Sequence, residues 1–361
     1  MTSQAFKSRR TNFIAAAGLS ESEAVLVTNP IDIAYLSGFT GSNGTMVVGP
    51  TVERLFTDFR YQARVFIEAP GIDVVIPKSR MMAAIFDNAR EAGIDRLVVD
   101  ESHVTIAGLR GYESSADGIV FEPRSLPTNS LRMTKDTDEV RKVRRACEIT
   151  DEALAAVLPS IKVGVTERQI AVALERAFVD LGADGRAFES IVATGPNSAV
   201  PHHSPTDRAV AEGDLLKIDF GALFEGYHAD ETRTFVVGEP QAWQVEIHAV
   251  VAAAQAAGRA ALRDGVTLGE VDAASRAVIV DAGFAEYFNH GLGHGVGLQI
   301  HEDPFFRPDG TDSLRAGYTV TIEPGIYLPN RGGVRIEDTL VVGLDGAESL
   351  TTTSRELRVI G

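Results

Sequence analysis

The first third of the chain alternates short apolar runs with stretches typical of helices. The runs AVLVT, TMVVG, RLFTDF, DVVIP and RLVVD each predict one strand, and the stretch around Ala83 to Ala92 predicts a helix. This alternation indicates a small α/β domain over residues 1–123. The polar segment EPRSLPTNSLRMT follows it and contains two prolines. We interpret residues 124–134 as a linker and residues 135–361 as a second domain.

The second domain contains an internal repeat. Residues 164–183 read GVTERQIAVALERAFVDLGA, and residues 265–284, a step of 101 later, read GVTLGEVDAASRAVIVDAGF. Thr166 and Thr267 each begin a candidate capping box, which predicts a helix start at both places. Each repeat is followed by two strand-like runs around a turn, the first at EG and the second at PNR. The pattern predicts a helix followed by a β-hairpin, twice.

Two pairs of acidic residues lie on the arms of these predicted hairpins. Asp219 and Asp230 flank the first turn, and Glu323 and Glu337 flank the second, so each pair is expected to lie close across its hairpin. Such like charges repel, and their burial without a cation is costly. Solvated edge residues remain the alternative for a single pair. Two pairs in apolar runs such as LLKIDF and TVTIE favour a positive charge between them.

Histidines supply the second kind of candidate ligand. The stretch HGLGHGVGLQIHEDP contains three of the eight histidines, and its alternating glycines permit a close approach of the backbone to an ion. The three are His290, His294 and His301. The chain lacks G-x-G-x-x-G, G-K-[ST], H-E-x-x-H and G-x-S-x-G, so nucleotide, zincin and serine-hydrolase interpretations lose support. A further pair, His202 and His203, lies in the loop-like segment ATGPNSAVPHHSP, where a surface role and a functional role both stay open.

Composition narrows the class of partner. Lys and Arg total 34 against 50 Asp and Glu, and the net charge of −16 disfavours nucleic acid and anionic membranes. The single cysteine, Cys147, is interpreted as a small core residue in a reducing compartment. The N-terminus has no apolar signal segment, and no run is long enough to cross a bilayer. We therefore expect a cytoplasmic protein with no membrane partner.

These motifs together resemble the metallopeptidase family of aminopeptidase P, prolidase and methionine aminopeptidase, known for the pita-bread fold. The matching strings are IDFG, ADETRT, GHG, IEPG and RIED, and they give the implied metal ligands Asp219, Asp230, His294, Glu323 and Glu337. The N-terminal stretches NPIDIAYLSGFTGSNG and LFTDFRYQAR are similar to the extra domain of creatinase and the proline-specific members. The implied fold is α/β (α+β): a pita-bread catalytic domain with an internal pseudo-twofold duplication, preceded by a smaller creatinase/prolidase-like α/β domain.

The resemblance also implies a reaction. It suggests a binuclear-metal peptidase that hydrolyses the Xaa-Pro bond at the N-terminus of peptides, with a metal-bridging hydroxide as the nucleophile. Two divalent ions are implied per chain, with Mn²⁺ first and Co²⁺, Fe²⁺ or Zn²⁺ as alternatives, and the oxygen-rich ligand set suits such ions. Asp219 would bind one ion, His294 and Glu323 would bind the other, and Asp230 and Glu337 would bridge them.

Further roles are implied by the same resemblance. Glu323 would shuttle the proton of the nucleophile, His301 and His202 would stabilise the oxyanion or position the substrate, and His290 would line the proline pocket. Arg335, two residues before Glu337, is a candidate for contact with the substrate or for support of the ligands, as Thr232 is beside Asp230. Ordinary strand residues remain the alternative for both.

Two other functions stay open. A prolidase acting on dipeptides must recognise a free proline carboxylate, for which Arg307 and Arg60 are candidates, whereas an aminopeptidase must leave room for further residues. We prefer the aminopeptidase. A catalytically silent peptide-binding module is the other alternative, although no ligand is missing. The family commonly pairs subunits through the N-terminal domain, so we expect a homodimer.

Overall fold

The protein consists of two compact units, Met1–Arg132 and Met133–Gly361. The computed structural model describes residues 2–78 and 80–361. Within those residues, every helix is too short or too polar to cross a bilayer.

The first unit is built on one six-stranded sheet. Its strands are β1 (Glu23–Val27), β2 (Gly44–Gly49), β3 (Val52–Thr57), β4 (Asp73–Val75), β5 (Arg96–Asp100) and β6 (Val120–Arg124). Its helices are α1 (Ser3–Ala17), α2 (Pro30–Ser37), α3 (Gln62–Glu68), α4 (Met81–Glu91), α5 (Ile106–Ser115) and α6 (Thr128–Met133). The strand order is β4-β3-β2-β1-β5-β6, and apolar side chains such as Leu26, Phe56, Phe86 and Leu97 form its core. The five runs predicted as strands are β1 to β5.

The segment that we predicted as a linker is not an open chain. Strand β6 extends into it as far as Arg124, and α6 occupies most of the remainder. The amide of Leu131 donates to the carbonyl of Pro127 at 3.0 Å, so the proline precedes the helix, where its missing N–H costs nothing. Polar composition and two prolines indicated a break, but these prolines lie in a strand and before a helix.

The second unit contains four longer helices and several small sheets. The helices are α7 (Thr137–Val157), α8 (Glu167–Asp180), α9 (Ala242–Ala261) and α10 (Leu268–Asp281). The strands before α9 are β7 (Gly185–Arg186), β8 (Ile191–Thr194), β9 (Leu215–Phe220), β10 (Ala222–Phe224), β11 (Tyr227–His228) and β12 (Glu231–Val237). Those after α10 are β13 (Gly293–Gly295), β14 (Glu302–Phe306), β15 (Thr319–Ile322), β16 (Gly325–Leu328), β17 (Gly332–Arg335), β18 (Asp338–Val342), β19 (Ala347–Ser349) and β20 (Val359–Ile360).

The predicted duplication is confirmed in the second unit. Helices α8 and α10 both have 14 residues, and both of their ends are separated by the step of 101 found in the sequence. Both capping boxes are formed, at Thr166 and Thr267. Strands β12, β9 and β8 lie side by side in the first half in the same order as β18, β15 and β13 in the second. Each half also has its own apolar core. Cys147 is fully buried, as predicted for a small interior residue.

The hairpin registers bring the acidic residues together. In the first hairpin Asp219 pairs with Thr232, so Asp230 lies two positions along the facing arm, on the same face of the sheet. In the second, the pairs Ile322↔Asp338 and Gly325↔Arg335 leave Glu323 opposite Glu337. The two halves meet where the amide of Glu337 donates to the carbonyl of Thr232 at 3.1 Å, and we call this contact the junction.

Candidate metal centre

One cavity of the second unit is lined by the five predicted metal ligands, by the three histidines with predicted roles and by Arg335. The cavity has a volume of about 240 Å³. The residues that line it include His202, Asp219, Asp230, His290, His294, His301, Glu323, Arg335 and Glu337. Phe188, Ile191, Pro201, Ile300 and Phe305 add an apolar wall. The site is therefore small, largely buried and acidic.

The five predicted ligands come from strands of both halves. Asp219 lies within β9, and Asp230 immediately precedes β12. His294 lies within β13, Glu323 immediately follows β15, and Glu337 immediately precedes β18. Because β9 pairs with β12 and β15 pairs with both β13 and β18, the ladders bring these side chains to one place. Strand pairing, and not a mobile loop, sets their positions.

His294 is held with one ring nitrogen directed at the carboxylates. Its Nδ1 lies 3.0 Å from the carbonyl of Gly295, which can only accept, so Nδ1 carries the hydrogen. Its Nε2 lies 3.5 Å from Asp230 Oδ2 and 3.6 Å from Glu323 Oε1. Burial lowers the pKa of His294 to about 4, so the ring is neutral near pH 7 and Nε2 has a lone pair for a metal.

The glycines beside His294 are required by close packing. A Cβ on Gly293 would lie 2.1 Å from the carbonyl oxygen of Thr321, and one on Gly295 would lie 2.2 Å from that of Asp303. Any side chain at either position would therefore push β13 away from its neighbours. The alternation of Gly and His in the sequence lets the histidine strand fit between β14 and β15.

Three of the five candidates already form a compact group. Ligand atoms of Asp230, His294 and Glu337 lie within 4.8 Å of one another. The other two candidates face Arg335, whose Nη2 donates to Asp219 Oδ2 and whose Nε lies 4.0 Å from Glu323 Oε2. Three ligands are thus arranged around one point, while Asp219 and Glu323 are paired with a guanidinium.

Arg335 is buried among the ligands and fully engaged by protein groups. Its Nε donates to Thr232 Oγ1 at 3.1 Å and its Nη1 to the hydroxyl of Tyr327 at 2.8 Å. The Thr232 hydroxyl in turn donates to Glu337 Oε2 at 2.7 Å. Of the two roles predicted for Arg335, these contacts favour support of the ligands over contact with the substrate. The contact of Thr232 with Glu337 is of the kind predicted for a residue that supports a ligand.

The electrostatics of the cavity favour a bound cation. Burial raises the pKa of Asp230 and that of Glu323 well above the ordinary range, and neighbouring Glu337 raises both further. Burial, with Asp219 next, raises the pKa of Glu337 to about 8. Asp219 Oδ1 is buried and has no hydrogen-bond partner within residues 2–78 and 80–361. Clustered buried carboxylates with an orphaned oxygen fit divalent ions, which would neutralise the charges and use the free lone pairs.

The same shifts predict how the metal-free protein responds to pH. Glu337 has an ordinary pKa of 4.5 and a folded pKa of about 8, so between these values the folded state binds more protons than the unfolded state. His290 and His294, whose pKa burial lowers to about 4, have the opposite effect below about pH 6.5. The stability of chelated protein is therefore expected to fall as pH rises from 7 to 8, measured as the midpoint of thermal unfolding. Protein loaded with Mn²⁺ is the control and should lack this fall. A constant or rising midpoint in the chelated protein would contradict the prediction.

The other predicted histidines surround the acidic group. The rings of His301 and His294 are in edge-to-face contact with centroids 4.4 Å apart. His290 Nε2 lies 3.0 Å from the hydroxyl of Tyr327, and its ring packs edge-to-face on Phe288 at 4.9 Å. His202 lines the same cavity and is exposed. Three further imidazoles therefore line the cavity that holds the carboxylates.

Two structural features of the site were not predicted from the sequence. Tyr327 connects Arg335 to His290, and Lys217 is completely buried behind the cavity. Lys217 lies two residues before Asp219 on the same strand, so period-two alternation directs both side chains to one face. The sequence did contain a signal for Lys217: a lysine in an otherwise apolar strand, on the same face as the candidate ligand Asp219.

Comparison with known families gives two matches. The Creatinase/Prolidase N-terminal domain matches residues 9–134, and Metallopeptidase family M24 matches residues 141–343. The second match covers more than half of the chain. This protein belongs to Metallopeptidase family M24, and family membership implies divalent metal ions.

Individual relatives extend the likeness over nearly the whole chain. The Xaa-Pro dipeptidase of Pyrococcus horikoshii is 35% identical over 337 residues, which covers 93% of this chain and 94% of the relative. Among solved structures, an Xaa-Pro dipeptidase from Bacillus anthracis has a TM-score of 0.95 and 33% identity, covering 99% of this chain and all of the other. An X-Pro aminopeptidase from Thermotoga maritima has a TM-score of 0.92 and 33% identity, covering 98% of this chain and all of the other.

Proposed function

We propose that this chain is a two-metal Xaa-Pro peptidase whose preferred substrates are dipeptides. The observation that supports it most directly is the convergence of four carboxylates and one neutral imidazole in a single cavity of about 240 Å³. The relatives from Pyrococcus horikoshii and Bacillus anthracis, both named Xaa-Pro dipeptidases, support the choice of bond. They favour the dipeptidase over the aminopeptidase that the sequence analysis preferred.

An Xaa-Pro aminopeptidase remains the second candidate. The specific observation in its favour is the Thermotoga maritima structure, which carries that name at the same identity as the Bacillus anthracis dipeptidase. The two activities share the scissile bond and differ in whether the proline ends the substrate or is joined to further residues. The distinction therefore depends on groups at the far end of the cavity, beyond the candidate ligands.

We assign the metal ions to the five residues at the base of the cavity. They are Asp219, Asp230, His294, Glu323 and Glu337, with Asp230 and Glu337 proposed as the shared ligands. Divalent ions bound there would supply Lewis acidity and lower the pKa of a water molecule. Mn²⁺ is our first choice because oxygen ligands predominate, and Co²⁺, Fe²⁺ and Zn²⁺ are alternatives.

The remaining roles are assigned to side chains around this base. Glu323 lies 3.6 Å from His294 Nε2, and we assign it the transfer of a proton at the reacting centre. His301 and His202 flank the cavity, and their ring N–H groups would hold the carbonyl oxygen of the scissile bond. His290 with Phe305 would contact the proline ring, since both line the cavity and offer a flat ring face.

Arg307 is our candidate for recognition of a free carboxylate. It lines a second cavity of about 540 Å³ that shares His290, Gly291, Gly293 and Phe305 with the first. Its guanidinium lies 5.7 Å from the centre of the Phe305 ring. Arg60, the other candidate from the sequence, is paired with Asp58 at 2.7 Å in the first unit, so we assign it no role in the site.

Kinetics on two peptides test the proposal. For purified protein with added Mn²⁺, kcat/KM for Ala-Pro is expected to exceed that for Ala-Pro-Ala. In Arg307→Ala the KM for Ala-Pro should rise by roughly 10-fold or more, because a charge-assisted hydrogen bond contributes about 1.5–3 kcal/mol. The KM for Ala-Pro-amide, which lacks the carboxylate, should change little.

Each other outcome supports a different candidate. Faster cleavage of Ala-Pro-Ala would favour the aminopeptidase. Binding of both peptides without release of alanine, in protein that contains two metal ions per chain, would favour a catalytically silent module.

A further inference from the structure

A short segment carries His202 to the cavity, and its conformation is constrained on both sides of that residue. It begins with the 3₁₀ helix Gly195–Ala199, directly after β8, and continues through Thr206; we call residues 195–206 the histidine loop. His202 itself is exposed on one side, so its own packing does not fix it. Its orientation depends on the backbone at its two neighbours, Pro201 and His203.

The residue before His202 is held by Lys217. This lysine has no exposed surface, and its Nζ donates to the carbonyl of Val200 at 2.7 Å and to that of Pro201 at 3.3 Å. The Pro201 carbonyl also accepts from Arg335 Nη1 at 3.3 Å. The amine has N–H groups in either protonation state, so these hydrogen bonds need no particular charge. Pro201 is thus connected directly to the guanidinium that contacts Asp219.

The residue after His202 is held by a buried carboxylate. Glu167 has no exposed surface, and its Oε2 accepts from His203 Nε2 at 2.8 Å and from both the amide and the hydroxyl of Thr206, at 2.9 and 2.7 Å. Its Oε1 accepts from the amide of Thr194 and the side-chain amide of Asn197, at 2.8 and 2.9 Å. One carboxylate therefore fixes the start, middle and end of the histidine loop.

Comparison of the two duplicated halves indicates that the fold itself does not require Glu167 or Lys217. Leu268, at the step of 101 from Glu167, is the first residue of α10 and is buried in the apolar core. Thr321, two residues before Glu323 as Lys217 is two before Asp219, is buried and accepts from the amide of His294 at 3.1 Å. An apolar residue or a small hydroxyl therefore suffices in the second half. The larger polar groups in the first half are explained by the loop that they hold.

We propose that Lys217 and Glu167 are positioning residues that fix His202 for the substrate by holding the carbonyl of Pro201 and the ring of His203. This inference rests on the proposed peptidase function. It adds His203, which the sequence analysis left open, as the link between Glu167 and the loop. The lysine and the carboxylate hold opposite sides of a residue that is itself exposed.

The test uses Lys217→Met and His203→Ala in the full-length metal-loaded protein. Each is expected to lower kcat/KM for Ala-Pro by about 10-fold, since small displacements of an active-site group cost up to about 100-fold. His203→Gln retains a donor for Glu167 and should recover most of the loss. In a His202→Ala background, Lys217→Met and His203→Ala should each change kcat/KM by less than about 2-fold, because they act through His202. Metal content should equal that of the wild type.

Hydrogen exchange gives a readout that does not depend on activity. Amides of residues 195–206 should exchange faster in Lys217→Met and His203→Ala than in the wild type. Arg168→Ala is the matched control, because it removes the exposed ion pair to Asp207 just beyond the loop and should change neither exchange nor kcat/KM. Unchanged exchange in both variants, or a full loss of kcat/KM retained in the His202→Ala background, would overturn the proposal. If the wild type cleaves no Xaa-Pro peptide, the proposed function is wrong, and exchange alone decides whether the loop is held.

Discussion

Replacement of Asp230 or Glu337 by Ala is expected to abolish binding of the second metal ion and to reduce kcat/KM by well over 100-fold. Loss of a residue that only supports a metal ligand already costs up to roughly 100-fold. Each carboxylate is proposed to contact both ions, so its loss removes a ligand from two metals at once. Both side chains are buried, and their oxygens lie in the group that surrounds one point with His294. The measurement is metal content per chain by mass spectrometry, together with hydrolysis of Ala-Pro.

Two controls separate loss of metal from general damage. Glu189→Ala removes a carboxylate that is 83% exposed and lies next to the cavity residue Phe188, and it should retain both metal and activity. Wild-type protein should lose activity on chelation and recover it on return of Mn²⁺ or Co²⁺. Two metal ions per chain in either Ala variant would refute the bridging assignment. Full activity of the chelated wild type would refute the metal mechanism.

Asp338→Ala is expected to lower the free energy of unfolding by about 3–5 kcal/mol, the cost of breaking a buried ion pair. Asp338 has no exposed surface and accepts from Arg233 at 2.8 Å, from Gln255 at 2.5 Å and from Arg355 at 2.5 Å. Arg233 is itself buried, so the substitution leaves a guanidinium without one of its carboxylates in an apolar surrounding. Urea unfolding of the metal-free protein measures the difference without a contribution from bound ions.

Glu348→Ala is the matched control for Asp338→Ala. It removes the ion pair between Glu348 and Arg144, whose side chains are 59% and 37% exposed, and should cost no more than about 1 kcal/mol. A loss below about 1 kcal/mol for Asp338→Ala as well would show that the buried network contributes little.

The parts of the site that could be predicted follow local rules. The alternation of apolar and polar residues along β9 and the positions of two turns were sufficient to predict that Asp219 lies near Asp230 and Glu323 opposite Glu337. Such a prediction is possible because the register of a hairpin is set by its hydrophobic pattern and its turn. The paired capping boxes gave the starts of the duplicated helices, which are capped by Thr166 and Thr267. The ligand set itself remains a prediction, for which the shared cavity is the support.

The parts that could not be predicted depend on contacts between distant segments. Glu167 was adjacent to a correctly predicted capping box, but nothing in its neighbourhood indicates that it turns inward toward Thr206, 39 positions away. Pro201 contacts Arg335 from 134 positions away, across the two halves of the second unit. The segment predicted as a linker contains the boundary between the two units. Its short helix was not predicted, because a polar, proline-containing sequence is compatible with a helix as well as with an extended chain.

Metal binding near the junction between Thr232 and Glu337 is expected to stabilise the folded second unit. One proposed shared ligand comes from each half of the second unit, so ions held by both would join the two halves directly. Ligand that binds only the folded state adds a stabilising free energy that grows with its free concentration. In a cell depleted of divalent metal, the first consequence for this protein would therefore be faster opening between the halves and faster proteolytic turnover, and a lower amount of enzyme would accompany the loss of activity.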